Sequence, residues 1–335
     1  MSFNRSLFSR SLFLSRSASA LLLAGVVLIS GCGTNSGTAN SESSQKPTAA
    51  PATQSATRTV THLKGESKIP ADPQRIASLD YRLTDFLLAL GLKPHATVTY
   101  PGGGMPPYLD ASALEGVQSL GDEPNLEAVL KSSPDVILGR KAQADLYDQL
   151  TDIAPTIISD SPSKDWKQEL KSYGTMFGRE QQAEEWLKAY DAEAEQAKAE
   201  IAKVVPKGST FLYVRIMPKE VRVHGPKQAL SAVLYDDLGL TPAKGVEKLD
   251  DVVPISLEVL PDYDADYIFI ETGAPSADGD KDAQDNRSRI EQTSVWKNLK
   301  AVKAGHVYDM PQWIISEAPY IKQKSLELVE QALVR

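Results

Sequence analysis

The sequence predicts an α/β protein made of two halves that are joined by one long helix. Short runs of β-branched and apolar residues alternate with amphipathic helical stretches, the order expected of layered α/β domains. Residues 179–204 contain no Gly or Pro, and their apolar residues recur every three or four positions. At about 1.5 Å per residue, this segment forms a helix of roughly 39 Å. We therefore expect a rigid connector between two α/β halves, with an isolated coiled coil as the alternative.

The strands are predicted from short apolar runs, and the helices from apolar residues spaced by three or four. The predicted strands are 75–79, 96–100, 135–138 and 156–159 in the first half and 210–216, 221–224, 266–271 and 306–309 in the second. The predicted helices are 83–90, 126–131, 142–151, 229–238 and 320–333. A shorter helix at about 164–176 precedes the long one, and we expect Gly174 and Gly178 to break it because glycine is a poor helix former.

The composition excludes several classes of protein. The 335 residues are 41% hydrophobic and 24% charged, as in an ordinary soluble globular protein, and the formal net charge is −8. This acidic balance argues against a nucleic-acid-binding protein, which needs a basic face for phosphates. The single cysteine, Cys32, cannot form an intrachain disulfide, and no Cys/His cluster indicates structural zinc. We expect no resident cofactor and no metal site.

Residues 278–283 resemble the start of a calcium-binding loop because three aspartates alternate with other residues. However, Ala283 stands where such a loop needs glycine, and Arg289 stands where the bidentate glutamate belongs. We expect a solvated loop here. The sequence also contains no Gly-x-Ser-x-Gly motif, so a hydrolase has little support.

The first 31 residues are interpreted as a secretory signal peptide. Three arginines and no acidic residue accompany a short apolar run at 20–29, which is too short for a transmembrane helix. At the end of this run, Ile29-Ser30-Gly31-Cys32 resembles a bacterial lipobox, in which the cysteine carries the lipid and becomes the new N-terminus. An ordinary signal peptide with a buried cysteine nearby is the alternative.

Residues 32–57 are expected to form a flexible tether, because Ser, Thr, Ala, Gly and Pro dominate the segment. Cleavage of residues 1–31 removes three of the 36 basic residues and none of the 44 acidic ones, so the net charge falls from −8 to −11. We therefore expect an exported protein that a lipid on Cys32 anchors to the extracytoplasmic face of the cell membrane.

Each half contains a similar turn before a strand. The first turn contains Leu126 and Glu127 and continues to Pro134, and the second contains Leu257 and Glu258 and continues to Pro261. Each is predicted as a capping residue, a short helix, a proline break and a strand. Either glutamate could simply complement a helix N-terminus, an effect worth about 0.3–1 kcal/mol. That effect alone does not explain the matching positions in the two halves.

In their order along the chain, these motifs resemble the substrate-binding components of iron–siderophore ABC transporters, a family that also includes vitamin B12 and haem binders. The resemblance runs from about Arg58 to the C-terminus. Besides the two Leu-Glu turns and the long helix, it is carried by residues 65–70, 73–76, 89–92, 153–156 and 221–226.

The resemblance implies an α/β fold of two Rossmann-like lobes joined by a single long α-helix, as in class III periplasmic binding proteins, with the ligand in the cleft between the lobes. The implied division is 58–163 for the N-terminal lobe, 164–205 for the helical connector and 206–335 for the C-terminal lobe. The resemblance also implies that Glu127 and Glu258 pair with arginines on the permease.

Arginine and aromatic residues near the predicted strand ends are the candidate ligand contacts, because open α/β sheets bind ligands at the carboxyl ends of their strands. Ferric siderophores are bulky and often anionic, which suits aromatic walls and arginine forks. The candidates are Arg215, Arg140, Arg82, Tyr81, Tyr100, Trp313, Tyr320 and Trp166. The resemblance favours Arg215 as a direct contact, and a solvated surface residue is the alternative for each arginine. Trp186 and Trp296 fit helical apolar stripes and are expected in the core.

The implied function is that of a monomeric receptor that captures a ferric siderophore and delivers it to an ABC permease, with the cytoplasmic ATPase engaged only indirectly. This function requires binding and no catalysis. The arginines favour a hydroxamate or citrate–hydroxamate siderophore over a catecholate. Haem or cobalamin binding is the alternative within the fold, with Tyr100 or Tyr320 as the haem ligand. An exported enzyme is the alternative from another class.

Overall fold

Two open β-sheets, one in each half of the described chain, form the framework of the protein. The computed structural model describes residues 56–160, 165–274 and 277–334. Both sheets and the helices between them belong to one compact unit. The predicted fold class, two Rossmann-like lobes joined by one long α-helix, is confirmed. Cys32, the predicted signal peptide and nearly all of the predicted tether lie outside the described residues.

The N-terminal lobe is built on a five-stranded parallel sheet that follows a hairpin. The strands are β1 (Thr57–His62) and β2 (Gly65–Pro70) of the hairpin, then β3 (Ile76–Ser78), β4 (Ala96–Thr97), β5 (Gln118–Ser119), β6 (Val136–Arg140) and β7 (Thr156–Ser159). The sheet order is β5-β4-β3-β6-β7. The helices are α1 (Tyr81–Ala89), α2 (Leu126–Ser132) and α3 (Tyr147–Thr151), with 3-10 turns at Ala111–Leu114 and Lys141–Leu146. Parallel pairing brings the carboxyl ends of all five strands to one edge.

Two helices connect the lobes. α4 (Trp166–Phe177) ends at Gly178, whose φ of 65° makes a left-handed cap, and α5 (Glu180–Val204) then runs for 25 residues, as the long-helix prediction required. The expectation that Gly174 breaks α4 is wrong. A Cβ at Gly174 would lie 3.1 Å from the Cβ of Ala183 and 3.2 Å from the carbonyl oxygen of Arg179. Glycine at this position therefore allows α4 and α5 to pack closely.

The C-terminal lobe is built on a six-stranded mixed sheet. Its strands are β8 (Thr210–Ile216), β9 (Val221–His224), β10 (Thr241–Pro242), β11 (Val252–Ile255), β12 (Tyr267–Thr272) and β13 (Val307–Met310). The order is β11-β9-β8-β12-β13, with β10 also paired to β8. β8, β12 and β13 are parallel, whereas β9 is antiparallel to both of its neighbours. β8 and β9 have the predicted bounds.

The helices of this lobe include three, between residues 277 and 304, that the sequence does not predict. In chain order, the helices are α6 (Ala229–Ala232), which continues as a π-helical turn at Val233–Asp237, then α7 (Ala277–Gln292), α8 (Ser294–Asn298), α9 (Lys300–Ala304) and α10 (Pro319–Val334), with 3-10 turns at Val246–Lys248, Leu257–Tyr263 and Gln312–Ile315. The solvated loop expected at 278–283 is wrong, because these residues lie in α7, which buries Ala283 and Ile290. The second Leu-Glu turn is a 3-10 helix that continues through Pro261.

One apolar core runs through both lobes. It includes Phe86 of α1, Tyr190 of α5, Phe211 of β8 and Ile321 of α10. Trp296 is buried in a second core on the other face of the C-terminal sheet, as predicted. Among the described residues, no helix is both long enough and apolar enough to cross a membrane.

α10 joins the two lobes, a role that the sequence does not predict. At its start, the carboxylate of Asp85 from α1 accepts hydrogen bonds from the N–H of Tyr320 (2.8 Å) and the N–H of Ile321 (3.3 Å). Asp85 is fully buried, and this burial raises the pKa of its carboxyl to about 8. The C-terminal helix is therefore attached to the N-terminal lobe by a carboxyl group that water does not reach.

Candidate functional site

Arginine and aromatic side chains gather at the carboxyl edges of both sheets. In the N-terminal lobe, residues 80–82 follow β3, and Arg140 is the last residue of β6. In the C-terminal lobe, Arg215 precedes the last residue of β8. Strand ends of open α/β sheets are the usual place for a ligand. The two edges are therefore the candidate site.

Asp80 brings Arg82 and Arg140 together at the first edge. Its Oδ1 accepts hydrogen bonds from the backbone N–H of Arg82 (2.8 Å), which caps α1, and from the Arg82 Nε (2.8 Å), while Oδ2 accepts from Nη2 (2.6 Å). The Nη1 of Arg140 lies 4.0 Å from the same Oδ2. The Asp80 side chain is 9% exposed, and the arginines are 35% and 23% exposed. This edge thus presents two guanidinium groups around one buried carboxylate.

Tyr81 and Tyr100 form an aromatic pair beside these charges. Their rings lie 5.0 Å apart at 70°, and the Tyr81 hydroxyl lies 3.2 Å from the hydroxyl of Ser316 in the C-terminal lobe. Burial raises the pKa of Tyr100 to about 12, and the negative charges of Asp280 and Glu271 in the other lobe add to this rise. The Tyr100 phenol therefore stays protonated at neutral pH and lies within electrostatic reach of the opposite lobe.

Trp313 also makes a contact between the lobes. Its ring lies 5.3 Å from the ring of Tyr108, which follows β4, and the two residues are 9% and 4% exposed. Burial raises the pKa of Tyr108 well above its ordinary value. Because this pair is buried, Trp313 packs between the lobes and exposes little surface to a ligand.

Arg215 and Glu271 form an ion pair at the second edge. They are partners in the parallel register of β8 and β12, so both side chains lie on the same face of the sheet. The Arg215 Nε contacts the Glu271 Oε2, and the side chains are 11% and 0% exposed. Burial raises the pKa of Glu271 to about 7, although the charge of Arg215 opposes this rise.

The structure places Trp166 in the core, so its assignment as a ligand contact is wrong. Its ring lies 4.9 Å from Tyr190 and 5.6 Å from Trp186, because α4 packs against α5 there. Trp166 is 4% exposed. The ring of Tyr320 also faces the long helix, 6.0 Å from Trp186. Trp186 is half-buried, whereas the sequence predicts it in the core.

Glu127 and Glu258 are both exposed and lie after a strand end in their respective lobes. Asn125 caps α2 by accepting hydrogen bonds from the N–H of Glu127 (2.9 Å) and the N–H of Ala128 (3.2 Å), as predicted. Glu258 lies in a 3-10 helix directly after β11. Since β5 and β11 run parallel to the central strands of their sheets, each glutamate lies at the same edge as the arginines of its lobe.

Sequence reasoning missed four residues of this site, namely Asp80, Tyr108, Glu271 and Ser316. Asp80 had a usable signal, since an aspartate that precedes a predicted helix is a common cap and stands two residues before Arg82. Glu271 had a partial signal, because a carboxylate at the end of an apolar strand needs a partner, but only the register of β8 and β12 identifies that partner as Arg215. Tyr108 and Ser316 lie in loops, and their contacts depend on how the two lobes meet.

The described residues contain no group of three or more His, Cys, Asp or Glu side chains that is arranged to hold a metal ion. The histidines lie apart, with His224 against Tyr213 and His306 against Tyr267. Of the two tyrosines considered as haem ligands, Tyr100 lies at the strand edge and Tyr320 lies against the long helix.

Comparisons with known proteins identify the family to which the chain belongs. A family model for periplasmic binding proteins matches residues 76–313. The chain is 33% identical over 314 residues to the probable siderophore-binding lipoprotein YfiY of Bacillus subtilis, covering 90% of this chain and 92% of that one. It is 31% identical to the iron(3+)-hydroxamate-binding protein FhuD of B. subtilis, over 94% and 96% of the two chains.

Solved structures give the same result for the fold. Staphylococcus aureus SirA complexed with staphyloferrin B superposes with a TM-score of 0.69 at 27% identity, over 82% of this chain and 98% of SirA. A B. subtilis protein of the FhuD fold, described as the binding component of a ferrichrome-type ABC transporter, gives a TM-score of 0.70 at 28% identity. The resemblance found in the sequence is thus confirmed, and the chain belongs to the periplasmic binding protein family.

Proposed function

We propose that this protein is a lipid-anchored extracytoplasmic receptor that captures a ferric siderophore between its lobes and delivers it to an ABC permease for iron uptake. The observation that carries the proposal is the gathering of Arg82, Arg140 and Arg215 with Tyr81 and Tyr100 at the carboxyl edges of the two sheets. The names of YfiY and FhuD, which describe a siderophore binder and an iron-hydroxamate binder, support it.

Capture of a ferric siderophore requires hydrogen-bond donors and flat apolar surfaces. The guanidinium groups donate hydrogen bonds to the oxygens that surround the iron, and the tyrosine rings pack against the organic backbone of the chelate. Contacts such as Tyr81–Ser316 and Tyr108–Trp313, together with the rigid α5, oppose large movements between the lobes. Binding therefore proceeds with limited closure of the cleft, and no covalent step is needed.

The charges at the two edges favour a ferric tris-hydroxamate over a tris-catecholate. Three hydroxamates balance the charge of ferric iron, whereas three catecholates leave the complex with three negative charges. Asp80 compensates Arg82, and Glu271 compensates Arg215, so the excess of positive charge is small. The three arginines exceed the two carboxylates by one charge, which is too little to balance the three negative charges of a tris-catecholate complex. A citrate–hydroxamate complex carries an intermediate charge and is the second choice.

Delivery depends on recognition of the loaded receptor by the permease. Glu127 and Glu258 are exposed, one in each lobe, and we infer that they form a two-point contact with permease arginines. We further infer that the protein acts as a monomer and that the lipid on Cys32 keeps it at the membrane. Iron enters only within the siderophore, so the protein needs no cofactor of its own.

Tryptophan-fluorescence titration against a panel of ligands tests the function. The panel contains ferric tris-hydroxamate, ferric citrate–hydroxamate, ferric tris-catecholate, haem and cobalamin, with the iron-free chelators as controls. We expect saturable quenching by the ferric tris-hydroxamate at the lowest concentration. Saturable quenching by haem, with no response to any ferric siderophore, would contradict the proposal in favour of a haem receptor.

A further inference from the structure

The ion pair between Arg215 and Glu271 joins a cleft arginine to a fully buried carboxylate. We propose that Glu271 positions Arg215 for ligand capture and sets the preference of the cleft for ferric complexes of low charge. This inference rests on the proposed function, because it assigns Arg215 to the ferric ligand. Glu271 acts through Arg215 and makes no ligand contact itself, since its side chain has no exposed surface.

The backbone places the two residues before any side chain contact forms. Arg215 and Glu271 are paired in the register of β8 and β12, and Val214–Ile270 and Ile216–Thr272 are paired on either side of them. Two parallel strands at the centre of a sheet leave little freedom to either Cα. The carboxylate therefore limits the rotamers that the longer arginine side chain adopts.

The contact engages only one part of the guanidinium group. It joins the Nε of Arg215 to the Oε2 of Glu271, and the Arg215 side chain keeps 11% of its surface exposed. An arginine held through Nε can still present two N–H groups of its fork to an acceptor. This geometry suits a ligand that offers an oxygen pair, such as a hydroxamate bound to iron.

Charged and titratable side chains lie near Glu271 on β8, on β9, on α7 and in the N-terminal lobe. Arg215 and Tyr213 lie on β8, Arg222 lies on β9, Asp280 lies on α7, and Tyr100 faces them from the N-terminal lobe. Arg222 is itself paired with Glu220, and the Asp280 carboxylate accepts hydrogen bonds from the Ala274 N–H and the Gln312 side chain. Glu271 is thus the carboxylate in direct contact with Arg215, and its removal would leave that positive charge uncompensated.

The charge state of Glu271 changes the relative affinity for neutral and anionic ferric complexes in a definite direction. When Glu271 is ionised, the Arg215–Glu271 pair has no net charge, so a ferric complex of low charge approaches it at little electrostatic cost. With Glu271 neutral, Arg215 becomes a free cation that favours an anionic complex but is no longer held in one rotamer. Loss of the carboxylate therefore weakens binding of the neutral ligand and strengthens binding of the anionic ligand relative to it.

The test compares the wild type with Glu271→Gln, Glu271→Asp and the control Glu291→Gln, which removes a carboxylate from an ion pair with Arg287 on α7. Dissociation constants are measured for a ferric tris-hydroxamate and a ferric tris-catecholate. In Glu271→Gln we expect about tenfold weaker hydroxamate binding and a shift of at least about tenfold in the ratio of the two constants towards the catecholate. Glu271→Asp restores the wild-type ratio, and the control leaves both constants unchanged.

If Glu271→Gln weakens the binding of both ligands equally, Glu271 has a merely structural role. If both dissociation constants are unchanged, Glu271 has no role in ligand binding. If the wild type binds neither ligand, the proposed function itself fails, which is a different result. If Glu271→Gln does not fold, the test is made on the wild type, by measuring both dissociation constants at about pH 6.5 and at about pH 8. The pKa of Glu271, about 7, lies within that range. The ratio must shift towards the catecholate at the lower pH, with the charge of each ligand monitored by its visible absorption. A constant ratio would overturn the proposal.

Discussion

Replacing Asp85 by Asn tests how α10 is attached to the N-terminal lobe. Asparagine has nearly the same shape and keeps one oxygen to accept the hydrogen bond from the Tyr320 N–H, but it cannot ionise. In the folded wild type, burial raises the pKa of Asp85 from 3.8 to about 8. The unfolded chain has the ordinary pKa, so unfolding at neutral pH releases a proton from this group.

The sign and size of the change in the free energy of unfolding follow from the difference in the pKa of Asp85 between the folded and unfolded states. The contribution of Asp85 to stability is fully present below about pH 4, where both states are protonated, and is lost as the pH rises towards about 8. Over this interval the loss is about 1.4 kcal/mol for each pH unit. Asp85→Asn lacks this loss. The free energy of unfolding of the variant, minus that of the wild type, should therefore increase by about 3 kcal/mol between about pH 5 and pH 7.

Urea denaturation followed by tryptophan fluorescence at the two pH values measures this difference. The other ionisable groups are the same in both proteins, so their contributions cancel in the comparison. A difference that stays constant with pH would refute the reasoning. It would mean that Asp85 remains ionised in the folded protein and that the N-terminus of α10 stabilises the charge.

Two further predictions concern delivery and packing. The double variant Glu127→Ala/Glu258→Ala should bind the ferric ligand as the wild type does but support little uptake of radiolabelled ferric ligand by cells, and normal uptake would remove these glutamates from the permease contact. Gly174→Ala should lower the free energy of unfolding by about 1 kcal/mol, because the added methyl group crowds Ala183 and Arg179 more than the better helix propensity of alanine compensates. A rise in the melting temperature of Gly174→Ala would show that α4 and α5 separate easily.

Local sequence signals predicted the elements whose stability is local. The long helix and strands β8 and β9 match their predictions closely because their residues have strong propensities and regular spacing. The two-residue strands β4, β5 and β10 depend on neighbouring strands for their pairing. Gly174 shows the same limit, since a glycine that breaks a helix and one that allows close helix packing are identical in the sequence.

Some residues of the candidate site can be predicted from local sequence, and others cannot. Arg82, Arg140 and Arg215 were predictable because each follows or ends an apolar strand. Glu271 was not assigned to Arg215, because that pairing requires the register of two strands more than 50 residues apart in sequence. Trp166 was misassigned because an aromatic residue at the start of a helix has the same pattern whether it faces a cleft or the core.

A crystal structure of the protein with a ferric tris-hydroxamate tests the central claim most directly, because it shows both whether the ligand binds and where. We predict one ferric complex between the two strand edges, with the guanidinium of Arg215 and the phenol of Tyr100 in contact with it and the Arg215–Glu271 pair intact. A ligand bound elsewhere on the protein, or a cleft that stays empty at saturating ligand, would contradict the account.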